Sequence, residues 1–164
     1  MRNKIRRCIV LNKSDGTDDK QIQKGLRKCG EIYNELGGVK EIAIIIPTKH
    51  QVMIQDIKNA LDQVIGEGVA DELSAGVIGK TKVKVEGGGY LSLWTHQTFC
   101  KAYSRGINVI VAVYPSKGIL EDIDQRTENE LASSTIDAVM IILASQEDEA
   151  KWIKKWNPEI INDS

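Results

Sequence analysis

Apolar positions along this chain come in two alternating patterns. Cys8-Ile9-Val10-Leu11, Ile42-Ala43-Ile44-Ile45-Ile46, Ile107 to Tyr114 and Ala138 to Leu143 are apolar at nearly every position, as strands covered on both faces of a parallel sheet are. Between these runs the apolar residues recur three and four apart. Ile22, Leu26, Cys29, Tyr33 and Leu36 form one such stripe, Ile54, Ile57, Leu61 and Val64 a second, and Ala150, Ile153 and Trp156 a third. Each predicts a helix with one face on the core. Ile119, Leu120 and Ile123 predict a shorter helix, and Val69 to Ser74 another. Lys80-Thr81-Lys82-Val83-Lys84-Val85 alternates with period two, so this strand exposes one face or lies at an edge. Helix signals resume between Tyr90 and Arg105, the helix expected to begin near Ser92 or Thr95.

Turn chemistry punctuates the runs. Pro47 and Pro115 close strands, and Gly37-Gly38, Gly66 and Gly106 interrupt helical spacing. Asp18 and Gln21 stand at the spacing of a capping box before the first helix. Strand followed by helix, repeated about five times, predicts an α/β fold with right-handed crossovers. The expected architecture is a three-layer sandwich, Rossmann-like or flavodoxin-like, with about five mainly parallel strands and helices on both faces. Residues 1–164 read as a single domain, with no internal repeat or low-complexity tract to divide them.

Composition adds exclusions. Hydrophobic residues make up 41% and charged residues 27%, values ordinary for a globular chain. Twenty-two basic against 23 acidic side chains leave a net charge of −1, so there is no strong nucleic-acid signal and no global attraction to an anionic membrane. No apolar run approaches the roughly 20 residues that span a bilayer, and Met1-Arg2-Asn3-Lys4 leads into a strand, so a cytoplasmic protein is expected. Cys8, Cys29 and Cys100 are odd in number, far apart and without metal-ligand spacing, which predicts buried free thiols.

Ligands of open α/β sheets bind beyond the carboxyl ends of the strands, where helix N-termini offer free amides. The loops expected there are Lys13-Ser14-Asp15-Gly16-Thr17, Pro47-Thr48-Lys49-His50, Gly87 to His96, and Pro115-Ser116-Lys117-Gly118. They make Ser14, Lys49, Gly87, Gly88, Gly89, Ser92, Thr95 and Lys117 the candidate ligand-binding residues, with Lys13 beside them. The triple glycine carries the most weight, because residues without side chains let backbone amides approach a phosphate. A turn needing positive φ explains the same glycines without a ligand. Ser74 to Thr81 comes within one residue of a P-loop, but its Gly-Lys-Thr enters a period-two strand instead of a helix, which argues against phosphate binding there.

Gly87-Gly88-Gly89-Tyr90-Leu91-Ser92-Leu93, with Ala102, Arg105-Gly106 and Val109 to Pro115, resembles the nucleotide-binding half of the lysine-decarboxylase-like (LOG) phosphoribohydrolases. The resemblance covers residues 83–118. That family also carries a Pro-Gly-Gly-x-Gly-Thr-x-x-Glu loop that is missing after Pro115, so the resemblance implies nucleotide binding but not the family's catalytic apparatus.

Asp15, Asp18 and Asp19 are weak candidates for holding a metal, Mg²⁺ if the protein is an enzyme, although helix capping and solvation account for them without one. His96 is the catalytic candidate, as an imidazole near a strand end, but no serine or cysteine stands at a motif spacing from it or from His50. Three readings follow. The first is a module that binds, or senses, a nucleotide or other phosphate-bearing small molecule. The second is an enzyme acting on a nucleotide or phosphodiester. In the third, the C-terminal helix with Trp152 and Trp156 is a docking face for a partner protein or a second copy, giving a homodimer.

Overall fold

The computed structural model describes residues 5–12, 18–36, 41–48, 55–75, 82–85, 89–100, 107–128 and 136–161. In chain order the elements are β1 (Arg6–Val10), α1 (Asp18–Glu35), β2 (Glu41–Ile46), α2 (Gln55–Val64), α3 (Val69–Ala75), β3 (Lys82–Lys84), β4 (Tyr90–Thr95), α4 (His96–Cys100), β5 (Val109–Val113), α5 (Lys117–Glu128), β6 (Ala138–Ile142), α6 (Gln146–Trp156) and β7 (Glu159–Ile160). Among the described residues the strands form a seven-stranded sheet in the order β3-β4-β2-β5-β6-β1-β7. All neighbours are parallel except β3, which pairs antiparallel with β4 at one edge.

Seven strands replace the expected five. One addition is β4, which occupies the start of the expected Tyr90–Arg105 helix. Leu91 and Leu93 point to one face of the sheet while Ser92 and Trp94 point to the other, an alternation interrupted by one polar residue. Ser92 is fully buried and donates to Glu41 Oε2 at 2.6 Å, and it accepts from Trp94 Nε1 at 3.0 Å. Glu41 also accepts from Lys82 Nζ at 2.8 Å, so hydrogen bonds replace apolar packing on that lane. The other addition is the two-residue β7, too short to leave a periodic signal.

Alternation along the central strands sorts the core into two clusters. Cys8, Val10, Ile44, Ile46, Val111 and Met140 meet α1, α2 and α3 on one face. Ile9, Ala43, Ile45, Ile110, Ala112 and Ile141 meet α4, α5 and α6 on the other. The layers are therefore helices, sheet, helices. Connections that run toward the β3 edge, from β1 to β2 and from β2 to β4, carry their helices on the first face. Those running toward the β7 edge, from β4 to β5, β5 to β6 and β6 to β7, carry theirs on the second. One crossover hand requires this division.

The six parallel strands, counted in chain order, lie 3-2-4-5-1-6. This differs from the Rossmann order 3-2-1-4-5-6 and the flavodoxin order 2-1-3-4-5. Here α1 carries the chain past β6 and β5, so the first strand lies near an edge and the centre belongs to β5, between β2 and β6. Gln21 turns its side-chain amide to Leu11 O at 3.2 Å, and the Asp18 carboxylate meets Tyr114, so the expected capping box does not close. No helix among the described residues is long and apolar enough to cross a membrane.

Candidate functional site

The chain leaves β2 for the first face and β5 for the second, so the carboxyl ends of these two neighbours form a topological switch point, the place where ligands of open α/β sheets bind. Tyr114, the residue after β5, adopts φ 52°, and Leu143, the residue after β6, adopts φ 61°. Left-handed backbone in a bulky residue costs about 1–2 kcal/mol, and such strain clusters at functional sites. Its local effect is visible in the packing. Val113 and Tyr114 are consecutive yet share the first core cluster, as do Ile142 and Leu143, so the left-handed residue breaks strand alternation. The backbone then turns toward the second face, where α5 and α6 begin.

The Tyr114 hydroxyl donates to Asp18 Oδ2 at 2.6 Å, fixing the phenol against the first residue of α1. Burial, and then the Asp18 hydrogen bond and the Asp18 and Asp56 charges, raise the phenol well above the ordinary tyrosine range. Asp56, in the first turn of α2, is also raised, first by burial and then by the charges of Asp18 and Asp19. The first-face helix starts beside this point are thus acidic. On the second face α5 begins at Lys117 with no acidic residue in its first turn, and Ser116 Oγ accepts from Ile119 N at 3.2 Å. A carboxylate wall suits hydroxyl donors, while a helix start carrying a lysine suits an anion.

The corresponding gap between β6 and β1 is stitched closed. Asn12 N donates to Glu149 Oε2 at 2.9 Å, and Asn12 Nδ2 to Ala144 O at 3.4 Å.

Lys13, Ser14, Asp15, Lys49, His50, Gly87 and Gly88 lie outside the described residues, as does most of the near P-loop segment. Gly89 precedes β4 and donates its amide to the Tyr33 hydroxyl at 2.9 Å. Because β4 runs parallel to β2, Gly89 stands at the amino ends of the strands, across the sheet from Lys117 and Thr95. Gly89 therefore leads into a strand and not into a helix. Ser92 lies mid-strand in the Glu41 network, away from any helix start. Thr95 ends β4, and its hydroxyl accepts from Thr98 N at 3.1 Å while Thr98 Oγ1 accepts from Thr95 N at 2.9 Å, a reciprocal cap on α4.

His96 opens α4 half-buried, with Nε2 shielded from solvent and without a hydrogen-bond partner among the described residues; burial lowers its pKa and favours neutral imidazole. Lys117 is exposed and forms no ion pair among the described residues. Asp18 is committed to Tyr114, and Asp19 Oδ1 accepts from Lys20 N at 2.9 Å. Among the described residues no three His, Cys, Asp or Glu side chains gather closely enough to hold a metal. Cys8 and Cys29 are buried free thiols, raised chiefly by burial, Cys8 to about 11, whereas Cys100 is exposed, contrary to expectation.

Tyr114 and Asp56 are the site residues that sequence reasoning missed. The signal for Tyr114 was slight, an aromatic residue between a strand and Pro115. No protein-family model matches the chain, and the search of curated proteins found no match.

Proposed function

We propose that this protein binds a nucleotide or another phosphate-bearing small molecule in the crevice between the carboxyl ends of β2 and β5. The observation that carries this reading is Tyr114. It holds a costly left-handed backbone where the chain exits two neighbouring strands to opposite faces, and its hydroxyl is fixed to the start of α1. In this reading the Ser116-Lys117-Gly118 start of α5 receives the phosphate, and Asp18 and Asp56 accept from sugar hydroxyls. The acidic wall keeps the phosphate off the first face, so the ligand has one orientation.

A thermal-shift panel of nucleotides and sugar phosphates, with and without Mg²⁺, tests it. A ligand at about 100 times its Kd adds about 2.7 kcal/mol to stability, a shift easily read. Lys117→Ala and Asp18→Asn should each reduce the shift for the same ligand. Turnover of the stabilising ligand would make the site catalytic. If no phosphate-bearing compound moves the melting temperature, the reading fails.

A further inference from the structure

A cavity of about 450 Å³ lies at the amino end of β2 and β4, between the later turns of α1 and the first face of the sheet. Ile42 and Leu91, paired second residues of β2 and β4, form its floor; Leu26, Gly30 and Tyr33 of α1 and Val64 of α2 form walls. The volume falls within the range of small-molecule pockets, and no charged side chain is among its described lining residues.

Two details distinguish this space from a packing defect. The first concerns two glycines of one helix. A Cβ added at Gly25 would stand 2.8 Å from Ile142 Cγ1, so packing explains that glycine. A Cβ added at Gly30 would meet nothing within 4 Å. Glycine is a poor helix former, and neither steric fit nor positive φ calls for it at position 30. Its consequence is an open wall. The second concerns Tyr33, which is buried. Its hydroxyl accepts from Gly89 N at 2.9 Å, and its own proton has no acceptor among the described residues. The exposed Asn34 amide also lines the cavity, and beside it the unspent Tyr33 donor, set among apolar side chains, is suited to an acceptor on a ligand.

We propose that this cavity is a binding site for an uncharged, mainly apolar small molecule, an aromatic ring or short acyl chain, whose one carbonyl oxygen accepts from Tyr33. The neighbouring Cys29 thiol is buried and kept protonated by that burial, so binding is non-covalent. The site is independent of the carboxyl-end crevice.

The probe is 6-propionyl-2-(dimethylamino)naphthalene, a neutral fluorophore with an aromatic body and a single ketone, titrated with the full chain. A saturable, one-to-one blue shift is expected. Gly30→Leu should weaken it at least tenfold while melting no earlier than the wild type, since leucine is the better helix former and enters open space. Val64→Phe fills the cavity from α2 and should act alike, so the result does not depend on one variant folding. Tyr33→Phe should weaken binding about threefold or more by removing the donor. Unsaturable binding, or affinity unchanged in a folded cavity-filling variant, would overturn the proposal.

Discussion

Tyr114 and Asp18, 96 residues apart in the chain, share a 2.6 Å hydrogen bond that ties the end of β5 to the start of α1. The phenol donates to a carboxylate, a bond of the stronger kind. Tyr114→Phe is expected to cost about 1–2 kcal/mol near neutral pH. Folding holds this proton more tightly than the unfolded chain, whose tyrosines titrate near 10. The contribution is therefore complete below about pH 10 and is lost as pH rises through the higher folded-state value. Melting curves for both proteins from pH 7 to pH 11.5 check this. The gap between them should narrow at the alkaline end, and a gap of zero at every pH would show that the bond carries no free energy.

Asp56 titrates in the same sense with the opposite consequence at neutral pH. Burial and the charges of Asp18 and Asp19 raise its pKa, so its ionised form is disfavoured by folding. That penalty is absent below the unfolded value near 3.9 and fully present above the raised folded value. Asp56→Asn should accordingly raise the melting temperature at pH 7 and leave it unchanged at pH 3. Attraction of a carboxylate to the α2 N-terminus works against the gain. A lower melting temperature at pH 7 would mean that attraction to the helix end outweighs burial and repulsion.

How much of this was legible depended on whether a residue's role was local. β2, β5 and β6 were readable because Ile42 to Ile46, Val109 to Val113 and Ala138 to Ile142 are apolar toward both helical layers. The edge position of β3 followed from its alternating lysines. β4 was hidden, because Ser92 satisfies its buried position through Glu41, 51 residues away, and the aromatic residues Tyr90, Trp94, Phe99 and Tyr103 stand at approximately helical spacing along the sequence. That single misreading placed Gly89 before a helix and at the wrong end of the sheet. The crevice escaped the sequence for a similar reason. Tyr114 meets Asp18 only because α1 carries β1 past two strands, and strand order is not written in periodicity.

Gly25 lies where α1 presses on β6, with Ile142 and Val10 closing the space beyond it. Ile142 is fully buried, so its side chain has nowhere to retreat. Gly25→Ala should therefore destabilise by about 1–3 kcal/mol, despite alanine's better helix propensity. The double variant Gly25→Ala with Ile142→Val should recover part of the loss by removing the clashing methyl. Urea denaturation of the three proteins measures both steps. If Gly25→Ala proves stabilising, the helix stands further from the sheet than the structure places it.

The terminal helix α6 presents the sharpest choice between core element and docking arm. Periodicity puts Trp156 with Ala150 and Ile153 on the core-facing stripe, but Trp152 is the one 3% exposed, while Trp156 is half-buried beneath the Arg7 guanidinium at 3.6 Å. Both indole N–H groups donate to Asp124 Oδ1 of α5, each at 3.0 Å, and Lys155 Nζ donates to Asp124 Oδ2 at 3.4 Å. Ser145 caps the helix start by accepting from Asp148 N at 3.2 Å, and left-handed Asn157 closes its end on Ile153 O. These contacts turn the aromatic face inward. Trp152→Ala should cost about 3–5 kcal/mol and Trp156→Ala distinctly less. Asp124→Ala, which leaves a buried indole donor without its acceptor, should cost about 1–3 kcal/mol. Deleting residues 150–164 removes the anchor together with β7, and the truncated chain should be insoluble or melt much earlier. Denaturation paired with sedimentation decides the matter. A truncated chain as stable as the full one that has lost only self-association would make α6 an interaction arm and put the homodimer reading ahead of the other two.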